Sequence, residues 1–280
     1  MFEAAELDHR IDKATYDAQA PQAREALLMS QLDMVAQAKF PLVIIMAGLD
    51  GGGRSDTINL LNAWMDARHI TTFGEARPSE EELDHPWLWR FWRVLPPKGH
   101  TGIFYSSWYG QPLRARMLGK IGKGRLSRYL DEIQQFEQML TAEGALVVKF
   151  WFHMRKEQQK QRFKLLSRDP LTRWRVTKTD WARFRQYARF RRVAEQVLRR
   201  TDSANAPWFV IAGQEARYRH LRVVQILTDV LQKRLQAPAT PLIPLALPVT
   251  TTANTLENLN VLRALNLQQT VRKSDYLREL

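Results

Sequence analysis

One stretch limits this chain more than any other. The apolar run Pro41-Leu-Val-Ile-Ile-Met-Ala47 passes directly into Gly48-Leu-Asp-Gly-Gly-Gly53-Arg54-Ser55. A short continuous run rich in β-branched residues, opened by proline, predicts a strand buried on both faces of a parallel sheet. The glycines that follow let consecutive backbone N–H groups converge on an anion without Cβ clashes, and the helix that opens at Ser55 adds its partial positive charge. The spacing is that of G-x-x-x-x-G-K-[ST], with Arg54 where lysine is expected. Gly48, Gly51, Gly52, Gly53, Arg54, Ser55 and Thr57 are the candidate phosphate-binding residues. Arginine is not a neutral replacement: lysine is a compact charge on a flexible stem, whereas a guanidinium is larger and planar. Glycine also serves a plain structural turn between strand and helix, so the loop alone leaves that reading open.

The rest of the chain repeats the alternation. Further strands are predicted at 70–76, 99–105, 145–152 and 207–212, and helices at 3–38, 55–68, 126–143 and 216–235. A polar loop covers 77–85, ahead of an aromatic-rich helix containing Trp87, Trp89, Phe91 and Trp92. Strands alternating with helices imply right-handed crossovers and a doubly wound parallel sheet with helices on both faces, an α/β fold. Residues 1–40 read as a helical N-terminal arm, 41–235 as the main domain and 236–255 as a linker rich in proline and threonine. Residues 256–280 read as the start of a further segment or domain.

Charge narrows the partner. Lys and Arg number 42 against 29 Asp and Glu, a net +13, and the segment from Lys149 to Arg200 holds 17 basic and 4 acidic residues. The whole excess therefore lies in one segment, which reads as mostly helical with a break at Asp169-Pro170. Charge confined in this way points to a local polyanion site, although a solvated basic helix is the plainer alternative. DNA, RNA, an acidic membrane and inorganic phosphate polymers all fit at this level. Cysteine is absent, which excludes disulfides, a thiol nucleophile and cysteine metal sites. No apolar run reaches membrane-spanning length and the N-terminus is acidic rather than signal-like, so a cytoplasmic, soluble protein is expected.

Other constellations read more simply. The six histidines have no metal-ligand spacing. Trp87, Trp89 and Trp92 beside Arg90 and Arg93 could stack nucleic-acid bases, but their helical spacing favours packing. Glu80, Glu81, Glu82 and Asp84 could offer magnesium a carboxylate, though a solvated loop is the better fit. Ser106-Ser107 has no histidine partner at a recognisable spacing.

Several blocks together resemble the polyphosphate kinase 2 family. They are AGLDGGGRSDTI (47–58), FYSSWYGQ (104–111), QFEQML with ALVVKFWF (135–152), RDPLTRWRVTKTDW (168–181) and WARFRQYARFRRVAEQVLRRTDSANAPWFVI (181–211), in order across about residues 20–235. The resemblance implies a P-loop kinase-like three-layer sandwich with a basic helical lid at about 153–200. It implies phosphoryl transfer from polyphosphate to a nucleotide, AMP to ADP being the favoured pair, with Mg²⁺ as cofactor. Family members resemble G-R-D-A-A-G-K-G at the loop, so Asp50 matches the aspartate that helps hold magnesium and Arg54 replaces the lysine. The second motif resembles F-D-R-S-W-Y-N-R. Here Tyr105 stands at the aspartate and Ser106 at the arginine, Ser107, Trp108 and Tyr109 are retained, and Gly110 and Gln111 replace the last two. The lid cations implied are Arg162, Lys164, Arg168, Arg173, Arg175, Lys178 and Arg183.

The departures fall on the chemistry. Phosphoryl transfer depends on metal and cation placement around developing charge, so the substitutions at 54, 105 and 106 imply a weak or inactive site. Within the family, a group resembling polyphosphate:AMP phosphotransferases fuses a degenerate first domain to an intact second one, and this chain resembles the first. Its role would then be to bind polyphosphate or support an active domain, with a second kinase domain or a homo-oligomer as partner and no membrane. A nucleic-acid-binding module using the basic lid, or a purely structural domain, are the alternatives.

Overall fold

The computed structural model describes residues 1–74, 77–105, 107–237 and 272–279. Ser106 lies outside them, as does nearly all of the expected linker and following segment. The chain divides into two compact units, Met1–Ala237 and Pro238–Leu280. What is described of the second is a short helix over Lys273–Glu279.

The first unit is built on five parallel strands: β1 (Leu42–Gly48), β2 (Ile70–Phe73), β3 (Thr101–Phe104), β4 (Leu146–His153) and β5 (Trp208–Ala212). Their order is β2-β3-β1-β4-β5, with all four pairings parallel. The strand read first in the sequence is the central one, and its core is fully enclosed: Leu42, Val43, Ile44, Ile45 and Met46 are all buried. Strand order reverses around β1, so the loops after β1, β3 and β4 gather at one carboxyl edge, the place where doubly wound sheets bind ligands.

Helices cover both faces. One carries α1 (Lys13–Gln37), α2 (Arg54–Trp64) and α10 (Ala216–Gln236), burying Leu27, Met34, Leu61, Val223 and Leu227. The other carries α5 (Gly110–Met117), α6 (Lys123–Ala142) and α9 (Tyr187–Thr201), burying Leu113, Ile133, Phe136, Ala194 and Val197. Between them run α3 (Glu80–Leu83), α4 (Trp89–Trp92), α7 (Lys156–Arg168) and α8 (Lys178–Arg185). The 77–85 stretch is therefore not all loop: Ser79 and Glu82 close a capping box that starts α3. Helix α5 was not foreseen, because Gly110, Pro112 and two arginines mask its short apolar face. The aromatic helix shrinks to one turn: Trp92 packs on Phe136 and Trp87 on Tyr129, so these rings serve packing.

The N-terminal arm is not separate from the domain. Phe2 is wholly buried, stacked on His153 with ring centroids 4.3 Å apart. Glu6 and Asp8 bind His153 and Arg155 at 2.9 Å each, which pins the arm to the end of β4.

Lys149 departs from the charge map. It does not join the basic surface but lies fully buried in β4. Its ammonium donates to Glu137 Oε2 and to the Thr201 carbonyl, both at 2.7 Å, and to the Tyr109 hydroxyl at 3.3 Å. The other Glu137 oxygen accepts from Trp108 Nε1 at 3.0 Å and from the Tyr109 hydroxyl at 2.6 Å. Burial pushes the Lys149 ammonium down and the Tyr109 phenol well up. Glu137 opposes the first shift and reinforces the second. One strand, two helices and the turn before α5 are tied by one charge pair with its hydrogen-bonding capacity nearly filled.

Backbone crowding dictates the β1–α2 turn. A Cβ on Gly48 (φ 138°) would sit 2.3 Å from the Phe152 carbonyl oxygen, because β1 pairs with β4 to its last residue. A Cβ on Gly53 (φ 90°) would sit 2.2 Å from the guanidinium carbon of Arg219, on α10 beneath the turn.

Two outcomes follow. Glu137→Gln or Lys149→Met strands a buried charge and should lower unfolding free energy by about 3–5 kcal/mol, while the double variant recovers much of the loss; denaturant titration reads both. Gly53→Ala combines a strained φ with overpacking and should cost about 2–4 kcal/mol, against a near-neutral Gly124→Ala, whose Cβ meets nothing within 4 Å.

Candidate functional site

The glycine turn and the basic segment face each other across one cavity. Gly51, Gly52, Gly53, Arg54 and Ser55 line a space of about 240 Å³ that is closed on its other side by Arg162, Arg175, Asp180 and Arg183. The lid reaches this position through apolar contacts. Phe163 of α7 packs edge-on against Trp181 and near Phe184 of α8, with centroids 5.4 and 6.2 Å apart. Phe163 also lies over Gly51, where a Cβ would approach its ring to 3.1 Å. Gln159 completes the docking by donating to the Asp50 carbonyl at 2.9 Å.

Two carboxylates organise the cations. Asp50 meets Arg54 at 3.4 Å through Oδ1 and Arg183 at 3.3 Å through Oδ2. Asp56, in the first turn of α2, meets Arg175 at 3.2 Å through Oδ1. Its Oδ2 lies 3.6 Å from Arg162 and 3.7 Å from Arg219. Arg219 is buried and also donates to the Thr57 hydroxyl and the Gly213 carbonyl. Burial pushes its guanidinium down to about 10, with Asp56 opposing, so it remains charged at neutral pH. Five guanidinium groups thus surround two carboxylates in and under the cradle.

A second cavity of about 360 Å³ opens beside the first and shares Asp50, Arg54, Tyr105 and Arg183 with it. Its walls are mainly apolar and aromatic, among them Tyr109, Leu113, Met117, Trp151, Tyr187 and Phe190, with Arg114 and Gln186 as polar members. At the junction Arg54 lies over the Tyr105 ring, 4.7 Å from its centroid.

The expected site residues divide. Gly48, Asp50, Gly51, Gly52, Gly53, Arg54, Ser55, Tyr105, Ser107, Tyr109, Arg162, Arg175 and Arg183 line one or both cavities. Thr57 does not: it is fully buried, and its hydroxyl donates to the Gly53 carbonyl at 3.0 Å, closing the turn from behind. Trp108 also faces inward, onto Glu137, because its large ring belongs to the core. Lys164, Arg168, Arg173 and Lys178 are exposed and line neither cavity. They point elsewhere because the helical periods of α7 and α8 bring only some lid positions over the turn. Asp56, Arg114, Gln159 and Arg219 were missed. A signal existed for Arg219, which lies on the apolar stripe of α10 with Val223, Ile226 and Leu227.

Magnesium in phosphate sites keeps several waters and takes one or two free protein carboxylates beside the phosphate oxygens. Each Asp50 and Asp56 oxygen already faces a guanidinium, and Tyr105 offers a phenol stacked under Arg54. Among the described residues no group of three or more His, Cys, Asp or Glu could hold a metal. As placed, with each Asp50 and Asp56 oxygen facing a guanidinium, the carboxylates leave no free oxygen to hold Mg²⁺. Glu81 and Glu82 are paired instead with Arg93 and Arg90. No helix among the described residues is long and apolar enough to cross a membrane.

Comparison with known proteins agrees with this geometry. The family model described as Polyphosphate kinase 2 matches residues 10–238. A polyphosphate:AMP phosphotransferase of Pseudomonas aeruginosa is 44% identical over 100% of this chain and 56% of its own length. The protein of the same description from Pseudomonas syringae pv. tomato is 41% identical, again over 100% and 56%. The chain therefore spans about half the length of the curated relatives it matches most fully. A crystal structure from Pseudomonas aeruginosa described as polyphosphate kinase 2 superposes with TM-score 0.77 at 41% identity, covering 100% of this chain and 53% of that one. The polyphosphate kinase 2 of Arthrobacter aurescens gives 0.77 at 26% identity over 82% of both. Sheet order, glycine turn, facing basic lid and these matches lead to one conclusion: the chain belongs to the polyphosphate kinase 2 family.

Proposed function

We propose that this chain is the polyphosphate-binding, catalytically slow domain of a polyphosphate:AMP phosphotransferase, working beside an active domain that performs the transfer. The observation that carries this reading is the convergence of Arg162, Arg175 and Arg183 on the glycine turn across a single cavity. Guanidinium forks match phosphate oxygens two at a time, and a polymer of phosphates can engage several forks together. The neighbouring cavity, aromatic and apolar with Arg114 and Arg183 at its edge, suits a nucleoside monophosphate.

The reaction of the whole protein would break the terminal bridging P–O bond of polyphosphate. A new bond would form from that phosphorus to an AMP phosphate oxygen, giving ADP and a chain one phosphate shorter. In this domain the path between the two cavities runs through Asp50, Arg54, Tyr105 and Arg183. Arg54 and Arg183 are engaged there by Asp50, and Tyr105 supplies no carboxylate. Removing one preorganised charge-stabilising group typically costs about 10²–10³ in rate, and several are altered together. Weak transfer with retained binding is the consistent outcome.

Calorimetry with linear polyphosphate should give saturable binding, weakened about 10-fold by Arg175→Ala and by Arg162→Ala through loss of a charge-assisted contact. A DNA oligomer of equal charge should not displace bound labelled polyphosphate, whereas unlabelled polyphosphate should. With polyphosphate and AMP, ADP should form at least about 10³-fold more slowly than the 1–100 per second usual for kinases. Turnover in that range would end the claim of a slow domain, and a flat titration would end the claim of a binding one.

A further inference from the structure

The disagreement between this cradle and a magnesium site has a consequence of its own. It rests on the reading of the turn and lid as a phosphate-chain site. We propose that the cradle takes the phosphate chain free of divalent metal, with the guanidinium of Arg54 acting as the resident cation at the junction of the two cavities.

The geometry supports this at three points. Arg54 is held on two sides, 3.4 Å from an Asp50 oxygen and 4.7 Å from the centroid of the Tyr105 ring. Its side chain is only 15% exposed, so its charge is fixed in place rather than swinging in solvent. The other Asp50 oxygen is engaged by Arg183, so a metal approaching this carboxylate meets two guanidinium groups before it meets a free oxygen. Third, the cradle is electropositive without any ion. Arg54, Arg162, Arg175, Arg183 and Arg219 outnumber Asp50, Asp56 and Asp180, the acidic residues within it.

This cradle carries an excess of positive charge that an anion can balance without a metal. Divalent cations should then oppose binding: a phosphate chain coated with Mg²⁺ presents less negative charge to the arginines and must shed metal to reach them. Tyr105 contributes by what it lacks, since its ring supports Arg54 through the π-face without offering a second carboxylate.

The test is calorimetric titration of the full chain with short linear polyphosphate, once in EDTA and once in millimolar MgCl₂ at equal ionic strength. Affinity in EDTA should equal or exceed that in magnesium, and MgCl₂ alone should leave the melting temperature unchanged. Binding that appears only with magnesium, or is at least 10-fold weaker in EDTA, overturns the inference while leaving the phosphate-chain reading intact. Failure to bind in both conditions overturns that reading and the inference with it. Arg54→Ala, checked for folding by its melting temperature, should bind about 10- to 100-fold more weakly in EDTA; unchanged affinity counts against the inference. Arg54→Lys with Tyr105→Asp, which removes one of the two guanidinium contacts on Asp50 and adds a second carboxylate, should gain a magnesium-dependent rise in melting temperature. The wild-type comparison decides the question even if either variant fails to fold.

Discussion

The pairing of β1 with β4 out to Gly48 and Phe152 is the constraint on which the rest of the molecule depends. Because the two backbones remain in register to the last residue, no side chain fits at Gly48, and the chain must turn there with a positive φ. The turn then has to clear Phe152 at Gly52, Phe163 at Gly51 and Arg219 at Gly53. Three parts of the fold — the neighbouring strand, the lid and α10 — thus press on the glycines of this turn. The result is a loop whose shape is set from outside and which needs no ligand to hold it.

The electrostatics follow from this rigidity. A preformed loop bordered by arginines needs counter-charge when no anion is bound, and Asp50 and Asp56 supply it from the loop and from the first turn of α2. Salt bridges between partly exposed groups contribute little stability one by one; apolar contacts of Phe163, Trp181 and Phe184 seat the lid, and the carboxylates orient its guanidinium groups. The same carboxylates that orient the guanidinium groups also offset the repulsion among them. An incoming phosphate chain would exchange one set of oxygens for another in cations already aimed at the cavity, so little reorganisation is needed. On the reading proposed above chemistry would be a different matter, because Arg54 and Arg183 at the junction of the two cavities are tied to Asp50.

Beneath this surface, the Lys149–Glu137 pair shows how a family motif can be structural. Trp108 and Tyr109 read as site residues from their place beside Ser107, yet Glu137 draws Trp108 and the Tyr109 hydroxyl toward the core. They hold the end of β3 against α6, and only the Tyr109 ring reaches a cavity wall. A buried charge pair of this kind is costly to desolvate and costly to break, so it fixes the register of the elements it joins.

Much of this was legible in the chain alone. Short runs rich in apolar, β-branched and aromatic residues located all five strands, and the charge count located the basic segment, because both are local properties that hydrophobic period and composition record directly. The glycine turn could be read for the same reason, since strand, glycine spacing and cation are adjacent in sequence. The tertiary structure decided which cations count. Arg175 and Arg173 look equivalent in sequence, yet only the first meets Asp56, and Arg219 lies more than a hundred residues from the turn it underpins. Lys149, counted with the basic segment, turned out to be a core residue. Sequence records which charges exist; where they point depends on helix phase and on contacts between distant segments, and only folding brings those together.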